Sequence, residues 1–279
     1  MKTSTKLGAA FLAAGAIAAT ASADLTVTIE NTNPQGGFFF TPFWVAVHNG
    51  GFDSYDGGTP ASMWPGLTEI AEGGDTGPIT AAFAASPAGI AGGVDTTLVS
   101  VVYAGDAPVF NPGEKQTFTI DPGDTSVNRY FSYASMVIPS NDLFVANGNP
   151  MAHELFDANG DFVGPVVIEV RAVNDNGTEV NDADGGAAFS ALGGADADEN
   201  VNIRNFFTEK GDSAYLDSFH GTETVTGFVI TDSFEEGELI TRITIDFEPA
   251  ETCASDIDGD GVVGVDDLLE LLANWGDCL

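Results

Sequence analysis

Basic residues are scarce in this chain of 279 residues, which has only 8 lysines and arginines against 42 aspartates and glutamates. The formal net charge is therefore -34 at pH 7. Nucleic acids and anionic lipid surfaces are bound through basic patches, so this balance argues against both as partners. Clustered carboxylates instead attract multivalent cations, while scattered ones serve solubility.

Cysteine and histidine are also rare. The only two cysteines are Cys253 and Cys278, and the three histidines have neither metal-site spacing nor a nearby GxSxG nucleophile motif. In an exported protein, two cysteines most simply pair with each other. We therefore predict a Cys253–Cys278 disulfide that encloses only the C-terminal segment, and a non-enzymatic chain without catalytic residues.

Long apolar runs are absent except near the N-terminus. Residues 1–23, MKTSTKLGAAFLAAGAIAATASA, combine two lysines, an apolar run and small residues at the end. This pattern is typical of a secretory signal peptide, with cleavage expected after Ala23. The run is too short to span a bilayer, and no later segment approaches about 20 apolar residues. We therefore expect a secreted, extracellular or cell-surface-associated protein without membrane insertion.

Alternating apolar and polar residues dominate residues 24–249. In TRITIDFE, for example, every second position from Ile243 to Phe247 is apolar, as a half-buried strand requires. Further strand candidates are residues 25–31, 96–103, 116–120, 130–139 and 166–173. Turn formers such as NPGE, DPGD and NDNG separate them, which is typical of a β-sandwich or a barrel. Residues 63–75 fit a short helical turn, and residues 181–202 an acidic loop.

The C-terminal sequence SDIDGDGVVGVDDLLELLANWGDCL matches a calcium-binding loop followed by a helix. Such a loop places oxygen ligands at positions 1, 3, 5, 7, 9 and 12, with glycine at position 6. Gly261 is at position 6, and the predicted protein ligands are Asp256, Asp258, Asp260, the carbonyl of Val262, and Asp267. After the loop, one apolar stripe at helical spacing is formed by Leu268, Leu271, Leu272 and Trp275.

Aspartate at position 12 and the lack of a helix before the loop resemble half of a dockerin, the docking module of cellulosomes. The closer resemblance is to the single dockerin-type segments that end many exported bacterial proteins, and it implies calcium binding in residues 253–279. Docking to a cohesin-like receptor is a weaker implication, because dockerins normally contain two such segments. In addition, Val265 and Asp266 stand where dockerins commonly carry a Ser-Thr pair.

Two acidic strings stand out in the main part of the chain. VIPSNDLFVANG (residues 137–148) and NDNGTEVND (residues 174–182) each place a carboxylate at the end of a predicted strand. Asp142 from one loop could converge on a cation with Asp175 and Glu179 from the other. Asparagine side chains and backbone carbonyls would complete such a shell of oxygens.

The same strings resemble motifs of the spondin N-terminal domain family, which is found in F-spondin, mindin and many exported bacterial proteins. PSND (residues 139–142) is similar to the P-S-P-D motif of that family, and DNGTE (residues 175–179) is similar to its D-A-G-T-[DE] motif. TVTIENTN near the N-terminus and FHGTETVTGFVITDSF near the end of the domain extend the likeness over residues 24–249.

This resemblance implies a mainly β, C2-like antiparallel β-sandwich with a bound calcium ion. By their match to the two motifs, the implied ligands are Asp142, Asp175 and Glu179. The chain departs from the family pattern at Asn141, Leu143 and Asn176, and none of these departures removes a carboxylate. With the C-terminal loop, two calcium sites are predicted.

The expected function is that of a secreted calcium-binding adhesion or extracellular-matrix-type protein with a C-terminal retention or anchoring tag. Its partner would be an extracellular protein or glycan, and the tag could bind a cell-surface anchor. Two alternatives stay open. One is a component docked to a cohesin-like scaffold. The other is a polysaccharide-active hydrolase, which a fixed pair of buried carboxylates in an aromatic-lined cleft would favour.

Overall fold

The computed structural model describes residues 23–101, 108–248, 257, 263–273 and 275. The chain divides into a main unit, Asp24–Glu248, and a second unit that contains the described residues near the C-terminus. Within these described ranges, no helix is both long and apolar enough to cross a membrane.

The main unit is built from short strands and a few short helices. In chain order, the strands that the structure describes are β1 (Asp24–Asn31), β2 (Phe39–Phe40), β3 (Phe43–His48), β4 (Val94–Leu98), β5 (Lys115–Ile120), β6 (Tyr130–Ile138), β7 (Leu143–Ala146), β8 (Val166–Val170), β9 (Asn174–Asp175), β10 (Arg204–Asn205) and β11 (Thr241–Glu248). The α-helices are α1 (Leu67–Gly73), α2 (Gly77–Ala85), α3 (Pro87–Ile90), α4 (Ser213–Asp217) and, in the second unit, α5 (Val265–Ala273). A 3₁₀ helix at Ala61–Met63 and a π-helix at Phe206–Lys210 also lie in the main unit.

These strands form two antiparallel sheets, so the prediction of a mainly β chain is confirmed. The smaller sheet has the order β5-β1-β11-β8, and the larger has the order β10-β9-β7-β6-β3-β4, with β2 paired to β6. In β1 every second residue is buried, and its register with β11 places Val27 opposite Ile245 and Ile29 opposite Ile243. The alternation in the sequence therefore identifies the face of each strand that enters the core.

Both sheets contribute side chains to one large apolar core. Val27 and Ile243 enter it from the smaller sheet, and Val45 and Phe131 enter it from the larger one. Full burial of a side chain of this size stabilises the fold by roughly 1.5–3 kcal/mol. Two sheets that share one core are consistent with the predicted β-sandwich.

Helices α1, α2 and α3 cover the second face of the larger sheet, and here the sequence-based prediction is incomplete. A short helical turn was expected in residues 63–75, where α1 lies, but α2 and α3 were not predicted. Phe83 of α2 packs edge-on against Trp44 of β3, with ring centroids 5.8 Å apart. Gly66 permits the close approach of α1 to α2, because a Cβ there would lie 2.2 Å from the Ile79 nitrogen.

The strand predicted at residues 96–103 is shifted: β4 begins two residues earlier and ends at Leu98, residues 99–101 are not in a strand, and residues 102–103 lie outside the described residues. Strand β4 pairs with β3 only over residues 94–98, and Thr97 and Val94 lie opposite Trp44 and Val47. The remaining predicted strands in residues 24–249 overlap β1, β5, β6, β8 and β11.

Candidate functional site

The end of β6 and the start of β7 hold Asp142 in a tight turn. The turn begins at a cis peptide bond before Pro139. The Ser140 hydroxyl donates a hydrogen bond to the Val137 carbonyl at 2.5 Å and accepts one from the Leu143 nitrogen at 3.1 Å. Strand β7 then pairs with β9, so that Leu143 lies opposite Asp175. The two loops are therefore adjacent, through the pairing of two short strands that were not predicted.

Asn141 departs from the resembled motif, and both its backbone and its side chain form hydrogen bonds. Its backbone nitrogen donates a hydrogen bond to the Tyr215 hydroxyl at 2.9 Å, and that hydroxyl donates to its side-chain oxygen at 2.5 Å. Proline, which the family has at this position, lacks the N–H that forms the first bond. The Asn141 amide also donates to the Gly185 carbonyl at 3.2 Å. This turn is thus anchored to α4 by contacts that proline could not make.

Asp142 is fully buried, and only one of its two carboxylate oxygens has hydrogen-bond partners among the described residues. Its Oδ2 accepts hydrogen bonds from the Thr178 nitrogen at 2.9 Å, the Glu179 nitrogen at 3.1 Å and the Thr178 hydroxyl at 3.3 Å. Its Oδ1 is also buried and has no hydrogen-bond partner in the described part of the chain. An unpaired buried acceptor costs roughly 1–3 kcal/mol, and more when it carries charge.

Asp175 is fully buried as well, but both of its oxygens have partners. Oδ1 accepts from the Gly177 nitrogen at 2.9 Å, and Oδ2 accepts from the Asn181 amide at 3.0 Å. The Arg204 guanidinium lies 3.3 Å from Oδ1 and also pairs with Glu199 at 2.6 Å. A basic side chain therefore already neutralises Asp175, which makes this carboxylate the less available of the two predicted buried ligands.

The carboxyl groups of this region favour the protonated state. Burial and the neighbouring Asp175 carboxylate raise the pKa of Asp142 to about 7. Burial raises the pKa of Asp175 above its usual range, against the opposing effect of Arg204 and Lys210. Burial and repulsion from Glu72 and Asp196 raise the pKa of the half-buried Glu179 to about 8. Such shifts arise where several carboxylates share a poorly hydrated volume without enough positive charge.

Several residues at the site were not predicted as ligands. Asn176 and Asn181 each have a buried side-chain oxygen that lacks a hydrogen-bond partner among the described residues. Glu72 of α1 also belongs to this region, because Thr68, one turn earlier on the same helix, accepts a hydrogen bond from the Asn176 amide at 3.3 Å and repulsion from Glu72 contributes to the raised pKa of Glu179. The only sequence signal for the two asparagines is their place inside the acidic string, and nothing in the sequence connects Glu72 with it.

We define the carboxylate site as Glu72, Asp142, Asp175, Asn176, Thr178, Glu179 and Asn181. Its chemistry fits a hard cation such as Ca²⁺, which takes carboxylate and amide oxygens as ligands. The unpaired oxygens of Asp142, Asn176 and Asn181 are acceptors that such an ion would satisfy. Within the described ranges, however, no group of three or more His, Cys, Asp or Glu side chains is assembled closely enough to hold a metal ion.

The C-terminal calcium loop falls almost entirely outside the described residues. Asp256, Asp258, Asp260 and Val262 belong to this part, as do Cys253 and Cys278 of the predicted disulfide. Asp267, at position 12 of the loop, is buried and accepts hydrogen bonds from the Ile257 nitrogen at 2.7 Å and the Gly264 nitrogen at 2.5 Å. Its carboxylate therefore contacts backbone N–H groups of the loop sequence, and its role as a calcium ligand stays a prediction.

The exit helix of that loop is α5, which begins at Val265, two residues before Asp267. The predicted apolar stripe lies on it and just after it, and its side chains are 43–75% exposed: Leu268, Leu271, Leu272 and Trp275.

A histidine and a serine are in contact in the main unit, but not as a base and a nucleophile. Nδ1 of His48 accepts a hydrogen bond from the Gly50 nitrogen at 2.9 Å, so Nε2 carries the proton and donates to the Ser132 hydroxyl, also at 2.9 Å. Burial lowers the pKa of His48 to about 4. This imidazole is thus a neutral donor in the core and cannot accept the serine proton.

The arrangement that would favour a hydrolase is not found in the described cavities. A depression of about 440 Å³ is lined by Phe207 and Phe234 together with acidic residues, but those acids are exposed. The buried pair, Asp142 and Asp175, accepts hydrogen bonds mainly from backbone and amide N–H groups. A second depression, of about 320 Å³, is lined by Asn181 and Tyr215, but Asp142 and Asp175 are not among its lining residues.

No protein-family model matches the chain, and no curated protein matches it. The resemblance to spondin N-terminal domains therefore stays a prediction that rests on the motifs.

Proposed function

We propose that this chain is an exported, calcium-binding β-sandwich of the spondin N-terminal type that acts outside the cell as a non-enzymatic binding or adhesion module. One observation carries the calcium assignment. Asp142 is fully buried, and its Oδ1 lacks a partner within the described residues while Oδ2 accepts three hydrogen bonds. A bound Ca²⁺ would complete the coordination of this carboxylate and offset its burial.

Each ligand would come from a segment that the fold holds in place. Asp142 would bind the ion through Oδ1, and Asn176 through its unpaired amide oxygen. Glu179 would bind from the segment that already donates its backbone N–H to Asp142. Asp175, a ligand by the sequence prediction, is not a direct ligand in this proposal, because Arg204, Asn181 and Gly177 occupy its oxygens.

The second part of the proposal concerns the C-terminal segment. Residues 253–279 would bind another calcium ion through Asp256, Asp258, Asp260, the Val262 carbonyl and Asp267, as a retention or anchoring tag closed by the Cys253–Cys278 disulfide. The buried carboxylate of Asp267, which faces backbone N–H groups of the loop sequence, supports this reading. The extracellular partner of the main unit would be a protein or a glycan that is engaged when calcium orders the loops.

Calorimetric titration of residues 24–279 with Ca²⁺ tests the proposal. We expect two binding events, of which Asp142→Asn removes one and Asp256→Ala removes the other. Asp161→Asn is a matched control, because it removes an exposed carboxylate from the turn between Phe156 and Phe162. If Asp142→Asn and Asp161→Asn bind calcium alike, the site on the main unit is wrong.

A further inference from the structure

The smaller sheet has an outer face that is turned away from the core and open to solvent. In β1 and in residues 241–246 of β11, buried residues alternate with half-buried or exposed ones, and the latter form this face. Thr117 and Thr119 of β5 and Val167 of β8 are exposed on it. The larger sheet differs, because α2 and α3 pack on its second face. The outer face of the smaller sheet is therefore a surface on which another molecule can pack.

One row of this face carries charges of alternating sign across all four strands. The registers place Glu30 of β1 opposite both Lys115 of β5 and Arg242 of β11. Arg242 in turn lies opposite Glu169 of β8. In the sheet order β5-β1-β11-β8, the signs are thus plus, minus, plus and minus. We call these four residues the charged row.

The charged row is only partly neutralised within the chain. Arg242 lies 3.2 Å from Glu30 and 3.7 Å from Glu169. Lys115, at the edge of the sheet, is exposed and takes part in none of the ion pairs among the described residues. The row therefore offers one uncompensated positive charge at its β5 edge and an exposed carboxylate at its β8 edge.

A row of four alternating charges is complementary to itself when it is turned over. A two-fold axis that runs along the strands, midway between β1 and β11, exchanges the two edge strands and exchanges the two central strands. It sets Lys115 against Glu169 of a second copy, and Glu30 against Arg242 of that copy. Each contact occurs twice, because the axis makes it mutual. Two faces related in this way therefore meet with opposite charges along the whole row.

The neighbouring row of the face is uncharged. Thr28 lies opposite both Thr117 and Thr244, and Thr244 lies opposite Val167. The same axis packs Thr28 on Thr244 of the second copy, and Thr117 on Val167. Four adjacent strands of about six residues cover about 20 Å by 20 Å. Two such faces approach the lower end of the area that specific interfaces bury, about 1,200 Å² in total, so this area supports a weak dimer.

The distribution of charge over the chain also favours this face. Each copy has a formal net charge of -34, so contact through most of its surface brings acidic groups together. Of the 8 basic residues only six lie beyond residue 23, and three of those six, Lys115, Arg171 and Arg242, lie in the charged row or next to it. At the other end of the sheet, Asp24 and Glu248 lie opposite each other and would repel their counterparts. This repulsion is a further reason to expect weak association.

We propose that the outer face of the smaller sheet is the contact surface between two copies of this chain, which pair about a two-fold axis parallel to β1 and β11. The charged rows then form four ion pairs across the interface, and the threonine rows pack beside them. This dimer does not depend on the calcium sites proposed above. It would make the binding module bivalent, which raises the apparent affinity for a repeated extracellular partner.

An exchange of charges at the edge contacts tests the two-fold pairing. Lys115→Glu sets a carboxylate against Glu169 of the second copy, and Glu169→Lys sets an ammonium group against Lys115. We expect a dissociation constant on the order of 10 µM for residues 24–279 in sedimentation velocity, and each variant alone should weaken dimerisation about tenfold or more. An equal mixture of the two variants restores opposite charges at both edge contacts. It should dimerise within about threefold of the wild type.

Glu223→Lys is the matched control, because Glu223 is exposed and lies outside the strands of the smaller sheet. It lowers the net negative charge as much as Glu169→Lys does, so general repulsion between copies falls equally in both. We expect Glu223→Lys to dimerise at least as tightly as the wild type. All measurements are made in chelator, so that calcium binding does not contribute and a failure of the calcium sites leaves the result unaffected.

Three outcomes would overturn the proposal. One is a wild-type chain that stays monomeric up to about 200 µM, which needs no variant. Another is a dimer that neither Lys115→Glu nor Glu169→Lys weakens, since it would use a different surface, such as the exposed stripe on α5. The third is weak association of both variants that their mixture does not restore. Should either variant fail to unfold cooperatively in urea, Lys115→Gln and Glu169→Gln replace the pair, and unchanged dimerisation of both would refute the interface.

Discussion

Replacing Asp142 with asparagine exchanges a buried carboxylate for a neutral side chain of the same shape. The retained oxygen can still accept from the Thr178 and Glu179 nitrogens, and the new amide group takes the place of the unpaired Oδ1. The substitution therefore removes the charge and the proposed calcium ligand while it preserves packing. Its effect on stability should reverse sign between calcium-free and calcium-loaded conditions.

The size of the effect follows from the pKa of Asp142. In the fold it is about 7, against an ordinary value of 3.8, because of burial and the Asp175 charge. A raised pKa means that the folded state favours the proton, so stability is complete below about pH 4 and is lost as the pH rises through 7. The difference corresponds to about 4 kcal/mol. Without calcium at pH 8, Asp142→Asn should thus be more stable than the wild type by up to about 4 kcal/mol, and about equal to it at pH 4.

Urea unfolding at pH 4, 6 and 8, in chelator and in Ca²⁺, measures this directly. Ca²⁺ at 100 times its dissociation constant should stabilise the wild type by about 2.7 kcal/mol through the main unit and Asp142→Asn not at all. The Asp256→Ala background removes the C-terminal contribution, and Asp161→Asn controls for loss of an exposed charge. A variant that is less stable than the wild type in chelator at pH 8, or whose stability follows the same pH profile, would refute the reasoning.

Three further predictions follow from the same contacts. Because the pKa of Asp142 is about 7 and that of Glu179 is about 8, Ca²⁺ binding at pH 7 should release roughly one to one and a half protons. Calorimetry in buffers of different ionisation enthalpy detects this release, and heat that is independent of the buffer would contradict it. Asn141→Pro should destabilise the main unit by about 1–3 kcal/mol in urea, since it unpairs the Tyr215 hydroxyl, and Tyr215→Phe in the Asn141→Pro background should then cost little more. Deletion of residues 253–279 should leave the main unit folded, with its thermal midpoint unchanged within about 4 °C, because Asp24–Glu248 has its own core; unfolding on deletion would show that the two parts are one cooperative unit.

The sequence predicts the half-buried strands of the smaller sheet and also β6, which is buried along nearly its whole length. Strands β1 and β11 alternate strictly, and they pair in the register that brings their apolar residues to the same side. Strand β3, FWVAVH, is buried along its whole length because α2 and α3 cover its second face. A strand buried on both faces has no period-2 signal, and a short alanine-rich helix such as GPITAAFAA has no distinct polar face. The sequence therefore predicts neither β3 nor the helices α2 and α3 that cover it.

At the carboxylate site, the sequence predicts only residues that lie within the two acidic strings. Asp142 and Asp175 lie next to each other because β7, which follows Asp142, pairs with β9, which contains Asp175. Arg204 and Glu72 belong to segments that come together only in the folded chain, so no spacing within the acidic strings could indicate them. The sequence likewise does not distinguish Asp175, whose oxygens are occupied, from Asp142, which has one oxygen unpaired among the described residues.

The ion pairs of Arg204 also bear on why we propose a divalent cation for this site. Its guanidinium lies between Asp175 and Glu199, and Lys210 adds a second contact to Glu199, so these two basic side chains neutralise two carboxylates. A further lysine near Asp142 would bring one charge, but it would still leave Glu72 and Glu179 unbalanced and the Asn176 oxygen without a donor of suitable reach. A divalent ion supplies two charges at one point and accepts several oxygens at once. Three carboxylates and one divalent ion leave a net charge of about −1. Solvent screening at the half-exposed Glu179 reduces the cost of this remaining charge.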